Sequence, residues 1–131
     1  MPTSPPNLKE SFPSVHIETK LWVTAPNHFT LGPGDVRLLK SLLETKNLTK
    51  SSEICGYSYK YGWNKLQNLR RKIGFPLIES SRGGYGGGGT IAISPYGHFL
   101  LRVYDHAQKR LDEVVTQINT EIASWSPQVK I

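Results

Sequence analysis

A single cysteine, Cys55, excludes a disulfide within the chain and fits a reducing compartment. No apolar run is long enough to span a membrane. The proline-studded start lacks the apolar centre of a secretory signal, so the protein is expected in the cytoplasm. No Gly-Lys-Ser or Gly-Lys-Thr step is present to cradle a nucleotide. Nor is there a carboxylate pair, a nucleophile set beside a base, or a His and Cys spacing suited to a metal. These absences argue against an enzyme and against a cofactor or metal. One further lack is local: no carboxylate occurs from Ser58 to Ile78.

What is present follows from that gap. The chain has 131 residues and a formal net charge of +6. Between residues 58 and 82, Lys60, Lys65, Arg70, Arg71, Lys72 and Arg82 stand against Glu79 alone. Charge so localised is the electrostatic footprint expected for a polyanion, where a solubility device would be spread out.

The same stretch has helical periodicity. Tyr59, Gly62, Trp63, Leu66, Leu69 and Ile73 recur at steps of three and four, which predicts one inward face. Lys60, Asn64, Gln67, Asn68 and Arg71 fall opposite, with Tyr61, Lys65 and Lys72 at the margin. Ser58 is suited to cap the start, and Gly74 and Pro76 to stop the helix. Asn and Gln can pair with adenine edges, and Arg and Lys with guanine or phosphate. The bland alternative is a solvated basic face; the missing acids favour nucleic acid.

The rest of the chain supplies a frame. Residues 1–14 are expected to be a disordered tail. Val15, Ile17, Leu21 and Val23 alternate with His16, Glu18, Lys20 and Trp22, which predicts a half-buried strand, with His16 on its surface. Residues 24–33 are expected to form a loop. A first helix starts at Gly34 or Asp35, buries Val36, Leu39, Leu42 and Leu43, and ends near Asn47. A short second helix follows, capped by Thr49, with Ile54 and Cys55 inward. Gly56 then makes the joint of a helix-turn-helix. Cys55 is read as a small buried hydrophobe.

Residues 75–80 and 90–93 read as two antiparallel strands around a glycine-rich tip, which makes a wing. The run from Gly84 to Gly89 matches G-x-G-x-x-G, but a strand follows it where a dinucleotide site needs a helix. The tip is either a floppy loop or a backbone that presses on a ligand, with Arg82 and Tyr85 as its large side chains. Ser94 and Pro95 then open a long helix. Leu100, Tyr104, Ala107, Leu111, Val114, Ile118 and Ile122 form a near-heptad seam over about seven turns. That seam is expected to pair with a second copy of the chain. Ser126 and Pro127 end the helix.

With this order in hand, two segments carry a resemblance. Gly56-Tyr57-Ser58-Tyr59-Lys60-Tyr61-Gly62-Trp63, with Glu79-Ser80-Ser81-Arg82-Gly83-Gly84-Tyr85-Gly86-Gly87-Gly88-Gly89 further on, resembles the N-terminal DNA-binding domain of the ModE family of molybdate-responsive transcriptional regulators. Ser94-Pro95-Tyr96-Gly97 and Tyr104-Asp105 add to it, and the likeness covers roughly residues 15–115. It implies a dimeric winged-helix regulator in which Ser58, Tyr59 and Lys60 meet the major groove and the wing around Arg82 to Gly89 meets neighbouring backbone. Gly62 stands where that family has alanine, and Tyr85 where lysine is common. Nothing here corresponds to the family's C-terminal oxyanion-binding domains, so molybdate sensing is not carried over. Constitutive binding, a ligand at the dimer interface and a separate sensor protein stay open.

The expectations are these. The fold is α+β, mainly α: a winged helix-turn-helix over 15–95 with an N-terminal strand and two-stranded wing, a dimerisation helix over 96–125, and a tail over 126–131. The DNA-contacting set is Thr49, Ser51, Ser58, Tyr59, Lys60, Tyr61, Asn64, Lys65, Asn68, Arg71, Arg82, Gly84, Tyr85 and Gly86. The partners are pseudo-palindromic double-stranded DNA and a second copy of the chain, in a nucleoid-associated setting. The alternative is a winged-helix module that docks a protein without specific DNA binding.

Overall fold

The computed structural model describes residues 12–26, 28–80 and 90–125. The chain divides into two units, Lys20–Gln108 and Met1–Thr19 with Lys109–Ile131.

The Lys20–Gln108 unit opens with a hairpin. Strand β1 (Val23–Ala25) pairs antiparallel with β2 (Phe29–Leu31), Val23 opposite Leu31. This corrects the expected strand over 15–23. Alternation there is real, but residues 13–22 form no ladder, and Val15 is 72% exposed. The pairing falls where a tight turn lets Ala25 accept from the His28 N–H at 2.9 Å, inside the region read as loop.

Helix α1 (Pro33–Thr45) follows. Pro33 occupies the first position, where its missing N–H costs nothing. Asp35 reaches back to accept from the Gly32 N–H at 2.8 Å. Leu38 joins Val36, Leu39 and Leu42 inside, while Leu43 is exposed. Lys46 adopts a left-handed conformation (φ 54°) and donates its N–H to the Leu42 carbonyl. Helix α2 (Leu48–Ile54) is capped by Asn47, whose side-chain oxygen accepts from the Lys50 N–H at 2.9 Å; Thr49 lies inside the helix. Cys55 is buried as expected, but Ile54 is exposed.

Gly56 and Gly74, both at φ +74°, bracket helix α3 (Tyr59–Ile73). Each holds a left-handed conformation that a side chain would strain. The wing strands β3 (Ile78–Ser80) and β4 (Ile91–Ile93) pair antiparallel, Ile78 opposite Ile93. The Ile91 N–H also donates to the Lys46 carbonyl at 3.0 Å, which ties the wing to the end of α1. Helix α4 (Pro95–Ala123) starts as predicted, with Ser94 Oγ accepting from the Gly97 N–H and donating to the Pro76 carbonyl. One core joins Leu31, Leu38, Leu39, Leu42, Leu66, Ile73, Leu77 and Leu100 with their neighbours. These elements make a winged helix-turn-helix.

In the other unit, the Ile17 backbone pairs with one side chain. Its N–H donates to Asn119 Oδ1 at 2.8 Å, and its carbonyl accepts from Asn119 Nδ2 at 3.1 Å. Among the described residues no helix is long and apolar enough to cross a membrane.

Candidate nucleic-acid interface

Helix α3 is held from both ends and from beneath. Ser58 Oγ accepts from the Tyr61 N–H at 3.1 Å, satisfying one of the free donors of the first turn. The Gly74 N–H returns to the Arg70 carbonyl. Leu66, Leu69 and Ile73 are buried and anchor the helix to the core. Arg70, Arg71 and Lys72 sit in the last turn, where cations suit the helix dipole.

The buried stripe is narrower than periodicity predicts. Tyr59 is 54% exposed and Trp63 45%, although both fall on the expected inward face. Position 62 explains why the helix sits so close to α2. A Cβ there would collide with Ser52 Oγ, and would stand 3.0 Å from Ser52 Cβ. Ser52 fills the space that a methyl group at position 62 would take. Ser52 Oγ is itself buried with no hydrogen-bond partner.

Of the predicted contact residues, Thr49, Ser58, Tyr59, Lys60, Tyr61, Asn64, Asn68 and Arg71 are exposed. Ser51 is a correction. It is fully buried, and its hydroxyl bonds Thr45 Oγ1 at 2.7 Å, so it joins α1 to α2 and cannot reach a ligand. Arg82, Gly84, Tyr85 and Gly86 lie outside the described residues. Lys65 is placed differently from its neighbours. Its ammonium lies 3.2 Å from Asp35 Oδ1, and both side chains are mostly covered. Burial pulls the Lys65 pKa down, but the hydrogen bond and charge of Asp35, with Tyr57 and Tyr61 nearby, outweigh it and leave it above the ordinary lysine value. Asp35, Tyr61, Asn64, Lys65, Asn68 and Lys72 line an open crevice on this face. Sequence reasoning missed Asp35, whose partner stands thirty residues on; its only signal was its place at a helix start. No cluster of His, Cys, Asp and Glu suited to a metal occurs among the described residues.

The predicted seam on α4 divides. Leu100 and Tyr104 are buried in the Lys20–Gln108 core, which corrects their assignment to a dimer face. Ala107, Leu111, Ile118 and Ile122 are half-buried, and Val114 is exposed.

Comparison with known proteins agrees with this fold. No protein-family profile matches the chain. It is 35% identical over 75 residues to the transcriptional regulator ModE of Haemophilus influenzae, covering 57% of this chain and 29% of that protein. The molybdenum transport protein ModE of Herbaspirillum seropedicae is 36% identical over 73 residues, covering 56% and 27%. The DNA-binding transcriptional dual regulator ModE of Escherichia coli K12 is 30% identical over 73 residues, covering 56% and 28%. The chain thus spans less than a third of the length of these relatives. Among solved structures, the BenM DBD bound to benA site 1 DNA superposes with TM-score 0.51 at 24% identity, covering 68% of this chain and 92% of that one. The complex with catB site 1 DNA gives 0.51 at 23%, covering 69% and 93%. Over more than half its length, then, the chain resembles the ModE regulators, and it carries the winged helix-turn-helix fold of a DNA-binding domain.

Proposed function

We propose that the protein is a transcriptional regulator that binds double-stranded DNA sequence-specifically as a homodimer. The observation that carries this is the outer face of α3. Lys60, Asn64, Asn68, Arg71 and Lys72 are exposed together on a capped, core-anchored helix. At 100° per residue they occupy about a third of the circumference, and no carboxylate belongs to that helix. Lysine and arginine neutralise phosphates and fix register, while asparagines read base edges. The likeness to regulators named as DNA-binding supports the reading.

Dimerisation is the second part. Leu111, Val114, Ile118 and Ile122 on the distal part of α4 are apolar yet not fully covered. A second copy would cover them, and two recognition helices would then meet half-sites of a pseudo-palindrome roughly 34 Å apart.

Selection from a random duplex pool, followed by anisotropy across salt, tests the reading. A palindromic motif is expected, with log K falling against log salt by about 0.9 for each phosphate contacted. Lys60→Ala with Asn64→Ala is expected to lose sequence preference while sedimenting as wild type does. Weak, sequence-blind binding at physiological salt would instead favour a protein-docking module.

A further inference from the structure

Lysine 65 differs from the other cations of the recognition helix. Among the described residues it is the one cation of α3 that makes an ion pair. Its partner is itself fixed: Asp35 Oδ2 accepts the Gly32 N–H at 2.8 Å, leaving Oδ1 for Lys65 at 3.2 Å. The side chains are 22% and 16% exposed, so solvent screens the pair poorly. The lysine stem crosses the first turn of α1, where a Cβ on Gly34 would touch Lys65 Cε at 3.7 Å and the Tyr57 hydroxyl at 3.7 Å. Tyr57 meets Tyr61 edge to face at 4.7 Å beside it. Tyr61, Asn64, Asn68 and Lys72 are the exposed residues of α3 that line the crevice with Lys65, and Asn64 and Asn68 are the two with side chains able to pair with a base edge.

We infer that Lys65 is a positioning residue: its bridge to Asp35 locks α3 against the start of α1 and so aims Asn64 and Asn68 at base edges. This rests on the DNA-binding reading above. A phosphate role would require Lys65 to leave Asp35. That would strand a mostly buried carboxylate beside an approaching polyanion, which is unfavourable twice over. Kept together, the pair presents no net charge to DNA, so it contributes geometry and not counterion release.

The test compares Lys65→Met, Lys65→Arg and Asp35→Asn in the full chain. Each is titrated with the selected duplex and with a scrambled one from 50 to 300 mM salt, and thermal unfolding is followed without DNA. Asp35→Asn keeps an acceptor for the Gly32 N–H, so it removes the charge pair and spares the helix start. Lys65→Met and Asp35→Asn are each expected to lower the ratio of specific to scrambled affinity about tenfold, with the salt slope of Lys65→Met unchanged. Lys65→Arg is expected to retain the ratio. The proposal is overturned if Lys65→Met loses about 0.9 from the salt slope while Asp35→Asn binds more tightly, because Lys65 is then a phosphate ligand. It is equally overturned if both variants keep the wild-type ratio. A wild type with no sequence preference overturns the parent reading and this one with it, and that result is read before any variant.

Discussion

The winged unit and the distal part of α4 are built on opposite terms. In Lys20–Gln108, every helix start has a side-chain cap or a backward-reaching carboxylate, and Leu31, Leu38, Leu39, Leu42, Leu66 and Leu77 are essentially sealed. In the distal unit, apolar residues are half-covered or bare, with Val114 and Trp125 open to solvent. There the Ile17 backbone is held by two hydrogen bonds from a single side chain, Asn119. A unit that closes its own core sets its geometry alone. One that leaves apolar positions half-open has geometry that depends on what covers them. The proposed function uses both kinds: a rigid reader, and a surface left for a second copy.

The comparison breaks most sharply at the core. Leu66→Ala empties a fully buried position on the inner face of α3 and is expected to cost about 2–5 kcal/mol. Ile118→Ala, at a half-buried position, is expected to cost well under that at low protein concentration. Urea unfolding at several protein concentrations checks both. A loss at Leu66 that changes with concentration, or none at Ile118 under any condition, would contradict the division.

The contact of α2 with α3 comes next. Gly62→Ala drives a methyl group into Ser52, and overpacking of this kind costs about 1–3 kcal/mol. Ser52→Ala removes a buried hydroxyl that has no partner, so it is expected to be neutral or stabilising. The double variant should recover part of the loss, since the two Cβ atoms would still stand at 3.0 Å and must ease apart. Full additivity in a double-mutant cycle would show that the two positions do not meet.

How much of this was legible differs by element. Helix α3 was, because Ser58, the apolar period and Gly74 are all local signals. So were the wing strands and the start of α4, set by Ser94 and Pro95. The N-terminal hairpin was not. Alternation from Val15 to Val23 specifies a strand's faces but not its partner, and pairing chose Val23–Ala25 with Phe29–Leu31. The α4 seam misled for a related reason. A heptad cannot distinguish an apolar face that meets its own core, as Leu100 and Tyr104 do, from one that meets another chain. In the interface, exposed residues were readable from helical geometry, apart from Tyr59 and Trp63. Ser51 was misplaced because a serine in a short helix gives no sign of its burial, and the Asp35–Lys65 bridge joins residues too distant in sequence for any local pattern.

Asn119 offers a smaller lever, confined to the distal unit. Asn119→Ala removes both hydrogen bonds to Ile17, in an exposed setting worth about 0.5–1.5 kcal/mol each at most. Amide exchange at Ile17 is expected to speed up while Leu66 and Ile73 keep their protection. Faster exchange of the whole chain, with loss of protection in α3, would show that the two units are not energetically separate.

The smallest effect belongs to the one ionisable group that α3 shares with α1. The folded Lys65 pKa lies above the ordinary value of 10.5. A raised value means that the folded state holds the proton more tightly than the unfolded chain. The bridge to Asp35 therefore contributes its full stabilisation below pH 10.5. It loses that contribution as pH rises from there through the raised folded value. Wild type is expected to lose stability across this alkaline window faster than Lys65→Met, whose profile has no such component. The difference between the two urea midpoints, followed from pH 8 to 11.5, isolates Lys65 and the groups coupled to it, Asp35 first and then Tyr57 and Tyr61, from ionisations elsewhere that both proteins share. A constant difference across that range would mean that Asp35, at 3.2 Å, does not stabilise the ammonium beyond what burial costs it.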